Sequence, residues 1–390
     1  MPTLEVYSNN TSYGTASYSG EYGIGNTVTL IANVTSSGAF LGWRANSVDG
    51  EYVSGDPNYS FVVDANSPYI YYAIFEAATT ITSDFRFNFN QPAAGQAEIY
   101  EYTGTDSDLV IPSVVYNNGT SYTVTALIDD AFANNTYIET VTLPSTLTTL
   151  GSEFRYNGPM ATDNCEIGVF QGCTNLRSVN FENLTNLTSI GDCTFKDCTS
   201  LESVFLPNTL ETMGSRIFIN CSSLSKVTFE NGFKVTSLKG TFINCTSLTQ
   251  IEIPANVEEL TYNNPYHTDM SPNYGTFGGC TSLSEVTFEE GSKLSMLFGT
   301  FSYCSNLETL TLPESLSSIG GYQLLPAFGG CSNLKSLYIL ASVPPSLTYS
   351  EVNFVGISED LIIYVPQGSL TAYQTATGWS DIADHIQEMS

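Results

Sequence analysis

The sequence predicts a mainly β solenoid built from coils of about 24 residues, preceded by a small β-rich domain. Three observations carry this. The pattern Phe-x-x-Cys-[Ser/Thr]-[Ser/Asn]-Leu begins at Phe170, Phe195, Phe218, Phe242, Phe277, Phe301 and Phe328, with gaps of 25, 23, 24, 35, 24 and 27 residues. A period in this range marks a repeat architecture. Each copy is followed by apolar residues two apart, as in Val179/Phe181, Val204/Leu206 and Ile251/Ile253. That spacing puts both side chains on one face of a strand. Residues 1–79 lack the repeat and have the texture of aromatic strands separated by glycine-rich turns.

In chain order, Glu21–Val34 alternates like a strand after a turn, Gly38–Trp43 continues it, and Tyr59–Val63 and Tyr69–Phe75 follow. Trp43 is expected in the core of this first domain. Ala77–Thr80 joins it to the next without a long flexible linker. Phe85–Phe89, Ala97–Gly104 and Leu109–Pro112 are expected to cap the stack, because a first coil otherwise presents an open edge and an uncovered core. Tyr122–Phe132 forms a degenerate first coil in which Asn135 stands where Cys is expected.

Within a full coil, proline or an acidic residue ends the strand. A second apolar pair follows at helix-turn or short-strand spacing, as in Leu187/Ile190, Leu210/Met213, Val235/Leu238, Leu294/Leu297 and Leu316/Ile319. A tight turn then points Phe and Cys inward. The Ser or Thr after Cys is expected to close that turn by bonding nearby backbone. No coil buries its apolar side alone, so stacking is required. The far end closes with a strand at Leu361–Pro366 and a short amphipathic helix carrying Tyr373 and Trp379, both expected to be buried.

The sequence Leu-x-x-Val-x-Leu-Pro, then Leu-x-x-Ile-Gly, then Phe-x-x-Cys-[Ser/Thr]-x-Leu resembles the BspA-like (Treponema-type) leucine-rich repeat family of bacterial surface and secreted proteins over roughly residues 80–390. The resemblance implies a right-handed leucine-rich-repeat superhelix, with cap and degenerate coil at 80–130, repeats at 131–340 and a C-terminal cap at 341–390. Residues 1–79 resemble the Listeria–Bacteroides repeat of the internalin B-repeat type, a small β-grasp-like domain. Their Gly-x-x-Val-x-Leu, Phe-x-Gly-Trp, Tyr-x-Phe and Ala-x-Phe segments carry that likeness, which implies a spacer or adhesion unit.

The 390 residues carry a net charge of −28. Such a balance excludes nucleic acid and anionic membrane surfaces as partners by repulsion. No apolar run is long enough to span a bilayer. No signal-peptide core follows Met1, and the family resemblance implies the trimmed form of an exported protein, extracellular or on the cell surface. Seven of the nine cysteines occupy one position of successive coils and are expected as a buried column of free thiols. Cys165 and Cys193 fall off the column, and pairing between them is left open.

No catalytic constellation is present. The only histidines are His267 and His385, far apart in the repeats, and no nucleophile or phosphate-binding motif accompanies them. Carboxylates abound, but none is singled out as a pair, and Asp106-Ser-Asp108 reads as a polar turn. No metal or other cofactor is expected. Asn220 and Asn244 begin sequons that fall in buried turns and read as turn chemistry.

The outward strand positions run Thr142, Asn180, Phe205, Thr228, Glu252, Thr287, Thr311 and Tyr338. Phe205 and Tyr338 break the polar rule and are candidate contacts. Three longer coils carry insertions at the same point of the repeat, bringing Phe154 and Tyr156, then Tyr262, Tyr266, His267 and Tyr274, then Tyr322 to one edge. Insertions on one face are often the binding face of a solenoid, and tyrosines suit adaptable contacts; equally, these rings fold back over their own loops. The leading expectation is a non-enzymatic binding or adhesion protein that takes a protein or glycan partner, host molecules included. A rigid spacer and a cryptic hydrolase are the alternatives. Oligomeric state and ligand identity are not legible.

Overall fold

The computed structural model describes residues 3–35, 38–48, 50–54, 57–77, 84–117, 120–152, 168–260, 275–320, 326–348 and 350–390. The chain divides into two compact units. One comprises Met1–Glu98, Ile111–Thr125 and Pro144–Leu147; the other comprises Ile99–Val110, Ala126–Leu143 and Thr148–Ser390.

In the first unit, alternating apolar residues make seven strands: β1 (Glu5–Ser8), β2 (Gly14–Ser19), β3 (Thr27–Val34), β4 (Gly38–Ala45), β5 (Tyr52–Ser54), β6 (Ser60–Val62) and β7 (Ile70–Ala77). They form two sheets, ordered β1-β7-β4-β5 and β2-β3-β6. β1 runs parallel to β7, and the other pairs in these sheets are antiparallel. Val28 and Leu30 from one sheet and Trp43, Tyr71, Ala73 and Phe75 from the other are buried together, which places Trp43 in the core. β2 and β5 have no counterpart in the sequence reading. The small polar composition of β2 hides the alternation, and β5 is only three residues long. Further along the same unit, Phe85–Phe89 carries a row of rings in which Phe89 meets Tyr122 at 4.7 Å. The hairpin of Val114–Asn117 with Thr120–Thr123 joins the first module through Tyr116, whose hydroxyl donates to the Gly38 carbonyl at 2.8 Å.

In the second unit a typical coil contributes one strand, a second two-residue strand and a turn. The second apolar pairs are therefore short strands, not helical turns, except Val235/Leu238, where a single bridge replaces the strand. They stack in parallel: Leu127 beside Leu150, then Ile190, then Met213, and after a gap Leu260, Leu297, Ile319 and Leu347. The turn column carries most of the core. Phenylalanine rings stack from Phe132 through Phe170, Phe195, Phe218, Phe242, Phe277, Phe301 and Phe328 to Phe354, with centroids between 4.8 and 6.0 Å apart. Tyr102 starts the column against Phe132 at 5.5 Å. Phe354 ends it, and Ile357 takes the place of Cys in that last coil.

The seven thiols are free and buried. Each donates to the carbonyl of the Phe one coil earlier, from Cys173 on Phe132 at 3.1 Å to Cys331 on Phe301 at 3.0 Å. In the degenerate coil the same direction is kept by Asn135, whose Nδ2 donates to the Gly104 carbonyl at 2.9 Å. The hydroxyls after Cys behave differently from expectation. Thr199, Ser222 and Thr246 donate across coils to the carbonyls of Thr174, Thr199 and Ser222, so they join neighbouring turns and do not close their own. Backbone N–H groups close the turn instead, as in Thr199 to Asp197 at 2.9 Å.

One position escaped the sequence reading. The residue before Cys has positive φ in every coil: Gly172, Asp197, Asn220, Asn244, Gly279, Tyr303 and Gly330. Gly, Asn and Asp tolerate this left-handed conformation and other residues resist it. Asn244 and Asn220 also link coils, each amide donating to the residue beneath it at 2.8 and 2.7 Å. This accounts for the sequon asparagines as turn residues.

At the C-terminal end Tyr373 lies in the helix Leu370–Thr375, while Trp379 precedes the 3-10 turn Ser380–His385 and is not in the helix. Both are fully buried, and their polar tips reach the carbonyls of Ala341 and Pro345 at 2.7 Å. Cys193, off the thiol column, is disulfide-bonded; Cys165 lies outside the described residues.

Candidate binding face

The strand side of the second unit does not form one continuous ladder. Thr140–Thr142 pairs with Asp108–Val110 and Ser178–Val179; Ser203–Leu206 with Lys226–Phe229; and Gln250–Ile253 with Glu285–Phe288. Thr309–Leu312, Ser336–Ile339, Ile362–Val365 and Ile386–Glu388 form the last sheet. The three interruptions share a cause readable in the sequence. Each follows a coil with Phe at the second inward position: Phe229 and Phe288 end their strands, and Phe181 opens the 3-10 turn Phe181–Asn183. Coils with Leu or Ile there, such as Leu143, Leu206, Ile253, Leu312 and Ile339, pair with their successor. A ring in a column of branched aliphatics overfills the layer and moves the next strand away.

The middle interruption is the widest in consequence. Phe229 turns edge-on against buried Phe233, with centroids 4.9 Å apart at 65°. The second strand column is interrupted at the same coil, where only an isolated bridge joins Ser237 to Glu259. Val227 and Phe229 are consequently half-buried, whereas Val204, Leu206, Ile251 and Ile253 in the flanking coils are buried. A cleft of roughly 500 Å³ lies here. Its floor is Val227 and Phe229, and Lys226, Thr228, Glu252 and Glu285 are among its polar walls. Glu289, also on the wall, already accepts a bond from the Ala255 N–H at 2.8 Å.

Of the predicted site residues, Phe205 is half-buried and lies in register with Thr228, one coil before the cleft. Tyr338 is half-buried and stacks on Tyr364, with centroids 4.6 Å apart and planes 13° apart. Tyr364 was missed because it sits in what reads as a cap strand; its place in the Ile362–Val365 ladder makes it the next outward residue. Phe154, Tyr156, Tyr262, Tyr266, His267, Tyr274 and Tyr322 lie outside the described residues. The structure therefore brings Tyr338 together with Tyr364, and Phe205 beside the cleft.

Reactive groups do not converge among the described residues. His385 is engaged, with Nδ1 2.9 Å from the Leu361 carbonyl oxygen. Asp106 accepts from the Tyr102 hydroxyl and Asp108 from Thr140, both at 2.8 Å, as in a polar turn. Burial pushes the Cys173, Cys280 and Cys331 thiols up to about 12, and the other four column thiols well above their ordinary value. Such thiols are inert packing groups, not nucleophiles. The ion pairs Glu139–Arg177 (3.8 Å) and Glu308–Lys335 (3.7 Å) join adjacent coils and are solvent-exposed, so each contributes little.

Residues 115–168, 163–272 and 272–354 match the BspA type leucine rich repeat region, in six copies. The match starts after the first module, so the likeness of residues 1–79 to the internalin B repeat rests on its motifs alone. No curated protein matches the chain. Among solved structures it is similar to a T. pallidum leucine-rich repeat protein (22% identity, 59% of this chain and 91% of that one, TM-score 0.41). It is also similar to a leucine-rich repeat protein from Bacteroides ovatus (20% identity, 75% and 80%, TM-score 0.43). A third is the pneumococcal vaccine antigen PcpA (17% identity, 79% and 96%, TM-score 0.42).

Proposed function

The chain belongs to the BspA-type leucine-rich repeat family, and from that premise we propose that it is a non-enzymatic binding protein, secreted or held at the bacterial surface, whose strand face takes a protein or glycan partner. One observation carries the reading. The cleft at Lys226–Phe229 exposes apolar strand residues that equivalent coils bury, inside a rim of hydrogen-bonding groups. Apolar strand residues set among many polar groups suit a partner that makes hydrogen bonds over a small apolar contact. The stacked pair Tyr338–Tyr364 supplies a second aromatic contact on the same run of outward positions, and paired rings of this kind bind with little further loss of freedom. The insertions carrying Phe154, Tyr156, Tyr262, Tyr266, His267, Tyr274 and Tyr322 belong to the same proposal as further candidate contacts.

The test is a screen of the whole chain against host-protein and glycan arrays, followed by three sets of substitutions. Lys226→Glu with Glu252→Lys changes the cleft, Tyr338→Ser with Tyr364→Ser the stacked pair, and Tyr262→Ser, Tyr266→Ser and Tyr274→Ser the middle insertion. A partner whose affinity falls at least about tenfold with the first set supports the cleft. Loss only with the third set moves the site to the insertions. A spacer is the second reading, favoured by the polar outward residues Thr142, Asn180, Thr228, Thr287 and Thr311; a screen with no partner at all would favour it.

A further inference from the structure

The sheet β1-β7-β4-β5 of the first module buries one face and leaves the other to solvent. Three residue pairs in register build a row across the solvent face: Tyr7 opposite Tyr72, Tyr72 opposite Arg44, and Arg44 opposite Tyr52. Their sequence neighbours confirm the side. Val6, Tyr71, Ala73, Trp43 and Val53 all pack in the core, so the alternate positions point outward. At the strand spacing, four side chains on four neighbouring strands span about 14 Å.

Each ring is held in place. Tyr7 stacks on Tyr72 with centroids 5.4 Å apart, and its hydroxyl donates to Glu5 at 2.7 Å, yet the residue stays 45% exposed. Tyr52 lies over Gly42, where a Cβ would come within 2.6 Å of the ring; φ there is +138°. Arg44 donates through Nη1 to the Gly50 carbonyl at 2.9 Å. Tyr favours strands, but Thr does so too on a wetted sheet face and without exposing an aromatic ring.

We propose that this face is a platform for a neutral polysaccharide, with Tyr52 and the free side of the Tyr7–Tyr72 stack packing against successive sugar residues and the phenol and guanidinium tips bonding their hydroxyls. Rings with an apolar face and a polar tip match a pyranose, which has apolar C–H patches and a hydroxyl rim. Charge selects among glycans. Arg44 is the only basic residue of residues 1–79, against seven acidic ones, so a polyanion is repelled. The proposal is independent of the strand-face reading, and the two fail separately.

The test is affinity electrophoresis of the whole chain in gels containing hydroxyethylcellulose, mannan or dextran, with heparin as the polyanion. Retardation by at least one neutral polymer and not by heparin is expected. Tyr7→Ser with Tyr52→Ser should weaken it about tenfold, Tyr7→Phe with Tyr52→Phe only slightly, and Tyr338→Ser with Tyr364→Ser not at all. On the unaltered chain, the retarding polymer should protect Tyr7 and Tyr52 from nitration, which keeps the test decisive if the serine variant unfolds. No retardation by any neutral polymer, retardation undiminished in the serine variant, absence of protection, or a preference for heparin each overturns the proposal. So does a dimer that the serine substitutions dissociate, since a second copy would then cover the face.

Discussion

The thiol of Cys221 donates to the carbonyl of Phe195, one coil earlier, at 3.1 Å. The contact repeats at seven positions, and burial of the column keeps seven protons on sulfur. Unfolded thiols ionise near their ordinary value of about 9, whereas burial holds the native ones at about 12 or above. Between these values the native state binds more protons than the unfolded state, so stability is full below pH about 9 and falls as pH rises toward 12. Each thiol contributes a slope of up to about 1.4 kcal/mol per pH unit. Denaturant midpoints measured from pH 7 to 11 should be flat at first and then drop steeply, and Cys221→Ala should make the drop shallower by one proton. A flat profile to pH 11 would contradict the burial of the column.

The same column sets a thiol count. Seven cysteines are free and Cys193 is disulfide-bonded. Native protein should react slowly with a thiol reagent at pH 8. In denaturant without reductant about seven groups should react, and the count should rise to nine after reduction. Nine without reductant would show that Cys193 is a free thiol.

The left-handed position before Cys gives a third expectation. Tyr303 occupies it with φ +60° and is 43% exposed. Its ring crosses the next coil, where a Cβ on Gly330 would lie 2.7 Å from the ring. Tyr303→Asn should stabilise the chain by about 1 kcal/mol, because Asn adopts this conformation readily. Gly330→Ala should destabilise it by about 1–2 kcal/mol, less so in the Tyr303→Asn background, since the two residues touch. Thermal melts of the four proteins measure both effects and their coupling.

What was legible in the sequence was what recurs at fixed spacing. Phe, Cys and the two apolar pairs fill the same layer in each coil, so their identities are constrained and their period visible. The burial of Tyr373 and Trp379 was legible because they are large rings near the end of the repeats. The left-handed position was less visible because Gly, Asn and Asp satisfy one backbone requirement with three identities. The strands β2 and β5 were missed because small polar residues carry little alternation and three residues are too few to show any. Tyr364 escaped because its partner Tyr338 is 26 residues earlier in sequence and adjacent only after stacking. The interruption at Phe229 was hidden for a related reason: Phe is apolar and fits the inward pattern, and only its volume against the next coil separates it from Leu.

That volume argument supplies the last expectation. If the Phe229 ring holds Gln250–Ile253 away from Lys226–Phe229, then Phe229→Leu should let the two strands pair as Ser203–Leu206 and Lys226–Phe229 already do. Hydrogen exchange at amides of residues 226–229 and 250–253 should slow, since unpaired strand amides become ladder donors. The global cost should stay below about 1.5 kcal/mol, because the exchange is between apolar residues and Phe233 can close over the smaller side chain. Leu206→Phe should do the reverse, loosening the ladder between Ser203–Leu206 and Lys226–Phe229 and speeding exchange there. The cleft narrows in the first variant, so any partner that uses its floor should bind Phe229→Leu more weakly even though no wall residue has changed. Unchanged exchange in both variants would detach the interruptions from Phe181, Phe229 and Phe288. Slowed exchange with unchanged partner affinity would keep the packing account and remove the cleft from the binding face.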